Sequence, residues 1–202
     1  MIRQFGEAAL LVELGSADRA QLLAADLRRD PPAALIKAVP GVGSVVVELD
    51  PMHPAAPALR ATVEERIQRL PTAVPVGRRH TIPVTYDGPD LDEVAHLTGR
   101  SVDEVVALHT KTELRVLFCG FAPGFAYLGD LSDELRVERL ATPRTTTPAG
   151  SVAIAGSMSG IYPADLPGGW RVIGRTEVAM FDPASDPPTL LVPGDVVRFT
   201  RA

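Results

Sequence analysis

Two arginines and a row of hydroxyls share one short stretch, Arg139-Leu140-Ala141-Thr142-Pro143-Arg144-Thr145-Thr146-Thr147-Pro148-Ala149-Gly150-Ser151, which Pro143 and Pro148 hold extended. A guanidinium grips a carboxylate or phosphate through two parallel hydrogen bonds, and Ser and Thr hydroxyls complete such a donor set, so the stretch suits an anionic ligand. A lone arginine in a loop is more often a solvated or ion-paired surface group, and that reading stands beside the first. His109 follows Val102, Val105 and Val106 on one helical face, which aims its imidazole inward at the carboxyl end of a helix. There the helix dipole favours the protonated ring, which could hold an anion or give up a proton; a buried histidine bonded to a backbone carbonyl is the alternative.

Two further loops concentrate glycine and aromatic residues. In Gly120-Phe121-Ala122-Pro123-Gly124-Phe125-Ala126-Tyr127-Leu128 the glycines permit close backbone approach and Pro123 stiffens the turn, so Phe121 and Tyr127 could wall a ligand. The same residues serve equally as a tight corner packed into the core, which the local pattern taken alone favours. Gly160-Ile161-Tyr162-Pro163-Ala164-Asp165-Leu166-Pro167-Gly168-Gly169-Trp170 brings a large apolar face with one N–H donor, useful in a pocket, an interface or a core.

Several mechanisms lack their residues. No glycine-rich loop ends in Gly-Lys-Ser/Thr, so a nucleotide would be held some other way or by another chain. His53, His80, His96 and His109 never recur at metal-ligand spacing, and Cys119 is the only cysteine, so neither a metal site nor a disulfide is expected. Gly156-Ser157-Met158-Ser159-Gly160 resembles a nucleophile elbow but places Met158 where the serine belongs.

The elements that must position these residues divide at about residue 74. A strand at 8–14, a helix capped by Ser16, strands at 34–39 and 44–49 joined by Pro40-Gly41-Val42-Gly43, and a helix carrying Leu59, Val63, Ile67 and Leu70 make a β-α-β-β-α unit, read as a truncated ferredoxin-like layer. The period-free stretch 71–79 is the expected crossing, giving domains 1–74 and 75–202. Beyond it come a strand at 81–86, then two short helices starting at Asp90 and Ser101, each with a glutamate (Glu93, Glu104) at capping-box spacing. Strands expected at 114–118, 151–155, 170–176, 178–181, 189–192 and 196–200 suggest a barrel, with Pro193-Gly194-Asp195 turning between the last two.

Composition narrows the partners. With 46% hydrophobic and 22% charged residues the chain has the balance of a globular protein, and its net charge of −5 offers no basic stripe for nucleic acid. Glu7 interrupts what a signal peptide would need, and no segment is long and apolar enough to span a bilayer, so a cytoplasmic location and no membrane partner are expected.

Taken in order, Phe118-Cys119-Gly120-Phe121-Ala122-Pro123-Gly124-Phe125-Ala126-Tyr127-Leu128, Pro143-Arg144, Pro148-Ala149-Gly150-Ser151-Val152, Ile161-Tyr162-Pro163, Pro167-Gly168-Gly169-Trp170 and Ile173-Gly174-Arg175-Thr176 resemble the 5-oxoprolinase B subunit family, also called KipI-like or allophanate hydrolase subunit 1. The resemblance implies an α+β fold with a small amino-terminal domain and a cyclophilin-like β-barrel. It implies work beside a C subunit homologue (KipA-like, or allophanate hydrolase subunit 2-like) and an A subunit homologue, in a complex that uses ATP to open the lactam of 5-oxo-L-proline to L-glutamate. On that resemblance His109 and Arg144 are the candidate catalytic groups. Phe121, Pro123, Gly124, Tyr127, Arg139, Ser151, Tyr162, Gly168, Gly169 and Trp170 would surround the substrate. Inhibition of a sensor histidine kinase, or a place in a urea carboxylase, are the alternatives the resemblance carries. The chain departs from the family's commoner residues at Glu138, at Met158-Ser159 and at Leu166.

Overall fold

In the computed structural model, which describes residues 1–72 and 77–202, the chain falls into two units, Met1–Pro75 and Val76–Ala202. The expected crossing at 71–79, with its boundary after 74, centres on residues outside the described ones.

The first unit runs β1 (Ile2–Gln4), β2 (Ala9–Glu13), α1 (Ala17–Arg29), β3 (Leu35–Pro40), β4 (Ser44–Leu49), α2 (Ala56–Arg69). Ser16 starts α1 by accepting the Arg19 N–H, and the Gly41 N–H bonds the Ser44 carbonyl to close the β3–β4 hairpin. The sheet order is β1-β2-β4-β3, antiparallel throughout. Thus β2-α1-β3 is a split crossover with β4 threaded between its strands, the core of a ferredoxin-like layer. The outer place beside β2 is taken by β1, a strand too short to show alternation in the sequence. Leu10, Val12, Val45 and Val47 point one way and bury against Leu23, Leu27, Leu59 and Val63 of the helices.

The second unit contains β5 (Arg79–Val84), α3 (Leu91–Thr98), α4 (Val102–Lys111), β6 (Glu113–Cys119), β7 (Ala126–Gly129), β8 (Arg144–Thr147), β9 (Ser151–Ala155), β10 (Met158–Ile161), β11 (Leu166–Gly168), β12 (Arg171–Arg175) and β13 (Val196–Arg201). Seven strands form one sheet in the order β12-β9-β10-β7-β6-β13-β5. Its two edges meet where Thr85 and Arg175 exchange both backbone hydrogen bonds, each 2.9 Å, so the sheet closes almost into a barrel. Alternate residues fill the interior, among them Ile82, Leu114, Leu128, Ile154, Ile173 and Phe199. α3 and α4 pack Val94 and Val105 into the same core, and a separate ribbon of β8 and β11 carries Arg144.

Two expected strands are absent. Residues 178–181 and 189–192 meet only in the isolated bridge Phe181–Thr189. Prolines at 187, 188 and 193 bracket the second run and cannot donate to a ladder, and each run instead anchors one residue in the barrel core, Met180 from the first and Leu191 from the second. Consequently the turn at 193–195 does not join antiparallel neighbours. The strand that follows it, β13, lies parallel to β5 and antiparallel to β6.

Candidate functional site

Asp90 begins α3, yet its side chain makes no capping bond. One carboxylate oxygen, Oδ1, accepts from Arg144 Nη2 at 2.5 Å, and the other, Oδ2, accepts from the Val172 N–H at 2.6 Å. Its own N–H donates to the Val172 carbonyl at 3.0 Å. The Asp90 side chain is only 7% exposed while that of Arg144 is 29% exposed, so the pair runs from the protein interior outward. Arg144 Nη1 also reaches the Trp170 carbonyl at 3.4 Å. Glu93, the other acid of the expected box, pairs with Arg171 at 2.5 Å, and Arg171 Nε donates to the Glu138 carbonyl. α3 therefore spends both acids on arginines of the strands beside it.

Arg144 opens into a cleft of about 230 Å3 that it shares with Thr147, Ser151, Pro148, Asp87 and Arg175. Thr147 and Ser151 are buried. The Thr147 hydroxyl approaches the Tyr162 phenol, but Oγ1 makes no aligned hydrogen bond. Arg175 donates to Asp87 and to Glu177, at 3.0 and 3.1 Å, on the exposed rim. The lining combines the guanidiniums of Arg144 and Arg175 and the residues Thr147 and Ser151 with apolar surface from Pro89, Pro148, Ala149 and Val172.

A second cluster gathers the aromatics. Phe125 is buried at its centre, edge-on to Phe121, Tyr127, Tyr162 and Trp170 with ring centroids 4.9–5.7 Å apart, and Phe118 stacks on Tyr127 at 4.1 Å. Tyr162 and Trp170, both expected to surround the substrate, are buried in the core. Phe118, Phe121 and Tyr127 reach the surface, Phe121 being 60% exposed on a backbone of positive φ (74°). Pro123 is exposed at the same bend, and Gly124 is buried at φ +85°, where a Cβ would stand 2.7 Å from that of Phe181. At Gly168 a Cβ would fall 2.1 Å from the Tyr162 hydroxyl, so that glycine makes room for a core side chain rather than for a ligand; its neighbour Gly169 is buried. Burial pushes the Tyr127 phenol upward in pKa, with the positive charge of Arg139 opposing. Arg139 itself is exposed and has no ion-pair partner among the described residues.

His109 is not at an opening. It is fully buried and stacks on Phe199 at 4.4 Å, its Nδ1 lies 2.8 Å from the Tyr86 hydroxyl, and its Nε2 lies 3.0 Å from Ser159 Oγ. Ser159 Oγ donates to the Ala153 carbonyl, so it accepts from Nε2–H; Nδ1 then accepts from Tyr86. This closed chain fixes one neutral tautomer. Desolvation lowers the His109 pKa to about 3, which overrides the helix-dipole argument for a protonated ring and removes the anion-holding and proton-donating roles expected of it.

Of the expected site residues, the fold thus brings Arg144 and Ser151 into one cleft and groups Phe121, Tyr127, Tyr162 and Trp170 around Phe125, while His109 stands apart. Sequence reasoning misses Asp90, Asp87 and Arg175, and shows Thr147 only as one of the hydroxyls in the 139–151 stretch. Asp90 is visible there only as a helix start, and Arg175 only within the motif Ile173-Gly174-Arg175-Thr176.

The family model for the carboxyltransferase domain, subdomain C and D, matches residues 1–191. Over 220 aligned residues the chain is 38% identical to the 5-oxoprolinase B subunit of Bacillus subtilis (strain 168), covering 99% of this chain and 92% of that one. The crystal structure of TTHA0988 superposes on the whole chain with a TM-score of 0.86 at 40% identity, and the chain spans 40% of that longer protein. The fold recurs in the Kluyveromyces lactis urea amidolyase, with a TM-score of 0.80 and 21% identity over all of this chain and 15% of that one, a likeness of fold alone.

Proposed function

Because this chain belongs to the carboxyltransferase domain family of subdomains C and D, and within it to the 5-oxoprolinase B subunit proteins, we propose that it is the B subunit of an ATP-dependent 5-oxoprolinase that converts 5-oxo-L-proline to L-glutamate. The observation that carries the reading is the match to the Bacillus subtilis protein along almost the full length of both chains. On this reading the chain acts as a non-autonomous hydrolase subunit in the cytoplasm, with homologues of the A and C subunits as partners, and ATP is used at the level of the complex.

The chemistry explains why ATP is needed. A lactam is a resonance-stabilised amide with a poorly electrophilic carbonyl. Transfer of the γ-phosphoryl group of ATP to the lactam oxygen releases ADP and leaves a phosphate leaving group on that carbon. Water then adds to the carbon and the ring C–N bond breaks, giving the acyl phosphate of the glutamate side chain, and a second water hydrolyses that acyl phosphate to glutamate and phosphate. Arg144 is the group of this chain best suited to hold an anionic end of such a substrate, since its guanidinium is fixed by a buried carboxylate and faces a cleft.

The test is reconstitution. Purified homologues of the A and C subunits, 5-oxo-L-proline and ATP should release glutamate only when this chain is added, read by an enzyme-coupled glutamate assay. Equal rates with and without the chain would end the reading.

A further inference from the structure

We propose that the cleft of about 230 Å3 beside β8 is a binding site for a small monocarboxylate, anchored on the Arg144 guanidinium that Asp90 holds in place. The inference deepens the functional reading above and rests on it for one thing, the choice of 5-oxo-L-proline as the principal probe.

Charge, size and donor placement lead to this ligand class. Two guanidiniums line the cleft, but Asp90 balances Arg144 while Asp87 and Glu177 balance Arg175, so the cleft holds no excess positive charge for a triphosphate, and the N–H donors that Arg144 keeps free match one carboxylate. Its volume lies below the roughly 300 Å3 at which sites for drug-sized ligands begin, which excludes a nucleotide and admits a compact metabolite. Arginine has five N–H donors, of which the Asp90 and Trp170 oxygens take two, leaving donors for a ligand carboxylate. Asp90 is the positioning residue. Its second oxygen is bonded to the Val172 N–H, so the carboxylate cannot rotate away and the guanidinium keeps its aim.

Thr147 supplies the independent observation. It is wholly buried, lines the cleft, and its hydroxyl makes no aligned hydrogen bond within the chain, a state that costs free energy unless a partner arrives. A ligand with an amide edge provides that partner, while Pro148 and Val172 face its methylene groups. Because the Thr147 hydroxyl lies beside the Tyr162 phenol without an aligned hydrogen bond, Thr147→Val should change the melting temperature little.

The experiment is a titration of the full chain, labelled with 15N, with 5-oxo-L-proline, its neutral carboxamide and acetate, followed by amide chemical shifts and calorimetry. The expected result is saturable binding of 5-oxo-L-proline with shifts at Thr147, Ser151 and Gly174. The carboxamide should bind about tenfold or more weakly, the loss of a charge-assisted hydrogen bond. Thr147→Val should weaken binding several-fold without loss of fold, and Arg144→Gln should abolish the preference for the acid. No saturable binding, equal affinity for acid and amide, or shifts confined to other surfaces would overturn the site. Binding without glutamate release in the reconstituted complex would instead leave the site standing and count against the reaction.

Discussion

Asp90-x-x-Glu93 and Ser101-x-x-Glu104 start consecutive helices with the same local signal, yet the molecule uses them in opposite ways. At α4 both halves of the box form: Ser101 Oγ accepts the Glu104 N–H, and Glu104 Oε2 accepts the Ser101 N–H at 2.7 Å. At α3 neither forms, because Asp90 turns to Arg144 and Val172 and Glu93 turns to Arg171. The difference extends along the helices. α4 delivers its one ionisable core side chain, His109, into a closed neutral chain of hydrogen bonds, whereas α3 sends charge toward a cleft. A polar group whose hydrogen bonds all end inside the protein holds structure. One that leads outward to a solvent-accessible guanidinium leaves donors free, and here the candidate site lies where a local rule is broken.

Replacing Asp90 should break this contrast most severely. Asp90→Ala leaves the buried Val172 N–H without its acceptor and the Arg144 guanidinium unpaired but reachable by water, a loss of about 2–3 kcal/mol. Urea denaturation should show that loss. A loss of only about 1 kcal/mol would mean that Asp90 is no more than a helix cap.

His109 tests the other side of the comparison through pH. Its folded pKa of about 3 lies below the 6.5 of the exposed ring, so the unfolded chain binds the extra proton between those values. Its contribution to stability is therefore complete above about pH 6.5 and is lost as pH falls toward 3, by up to about 1.4 kcal/mol per pH unit. His109→Gln, which does not titrate, should flatten the denaturation free energy across that window relative to the parent. An unchanged slope would show that the ring is not held neutral.

What can be seen in the sequence follows from how local each determinant is. The first unit is legible because Ser16, the 40–43 turn and the Leu59-Val63-Ile67 period act over a few residues. In the barrel, β10 is hidden because Gly156-Ser157 reads as part of a failed nucleophile elbow. The pair is instead the two-residue hairpin turn between Ala155 and Met158, with Gly156 at φ +57°, which the Gly-Ser dipeptide itself signals. Arg144 and Ser151 are legible as donors because proline-bounded loops show their contents. Asp90 is not, since its partners lie 54 and 82 residues along the chain and only the closed barrel brings them near. The inward aim of His109 is also legible from its helical face, but the full desolvation that neutralises it is not.

Ser101→Ala gives the smallest effect and the sharpest control. It removes one side-chain oxygen from an exposed helix start, leaves Glu104 able to hold the backbone N–H at position 101, and touches nothing in the cleft. The cost should be about 1 kcal/mol in urea denaturation, with affinity for a cleft ligand unchanged. Asp90→Ala, at a position with the same local spacing, should lose both stability and affinity. If the two variants behave alike, the tertiary role assigned to α3 is wrong. If they separate as stated, the separation measures how much of Asp90's contribution comes from Arg144 and Val172 rather than from the helix it begins.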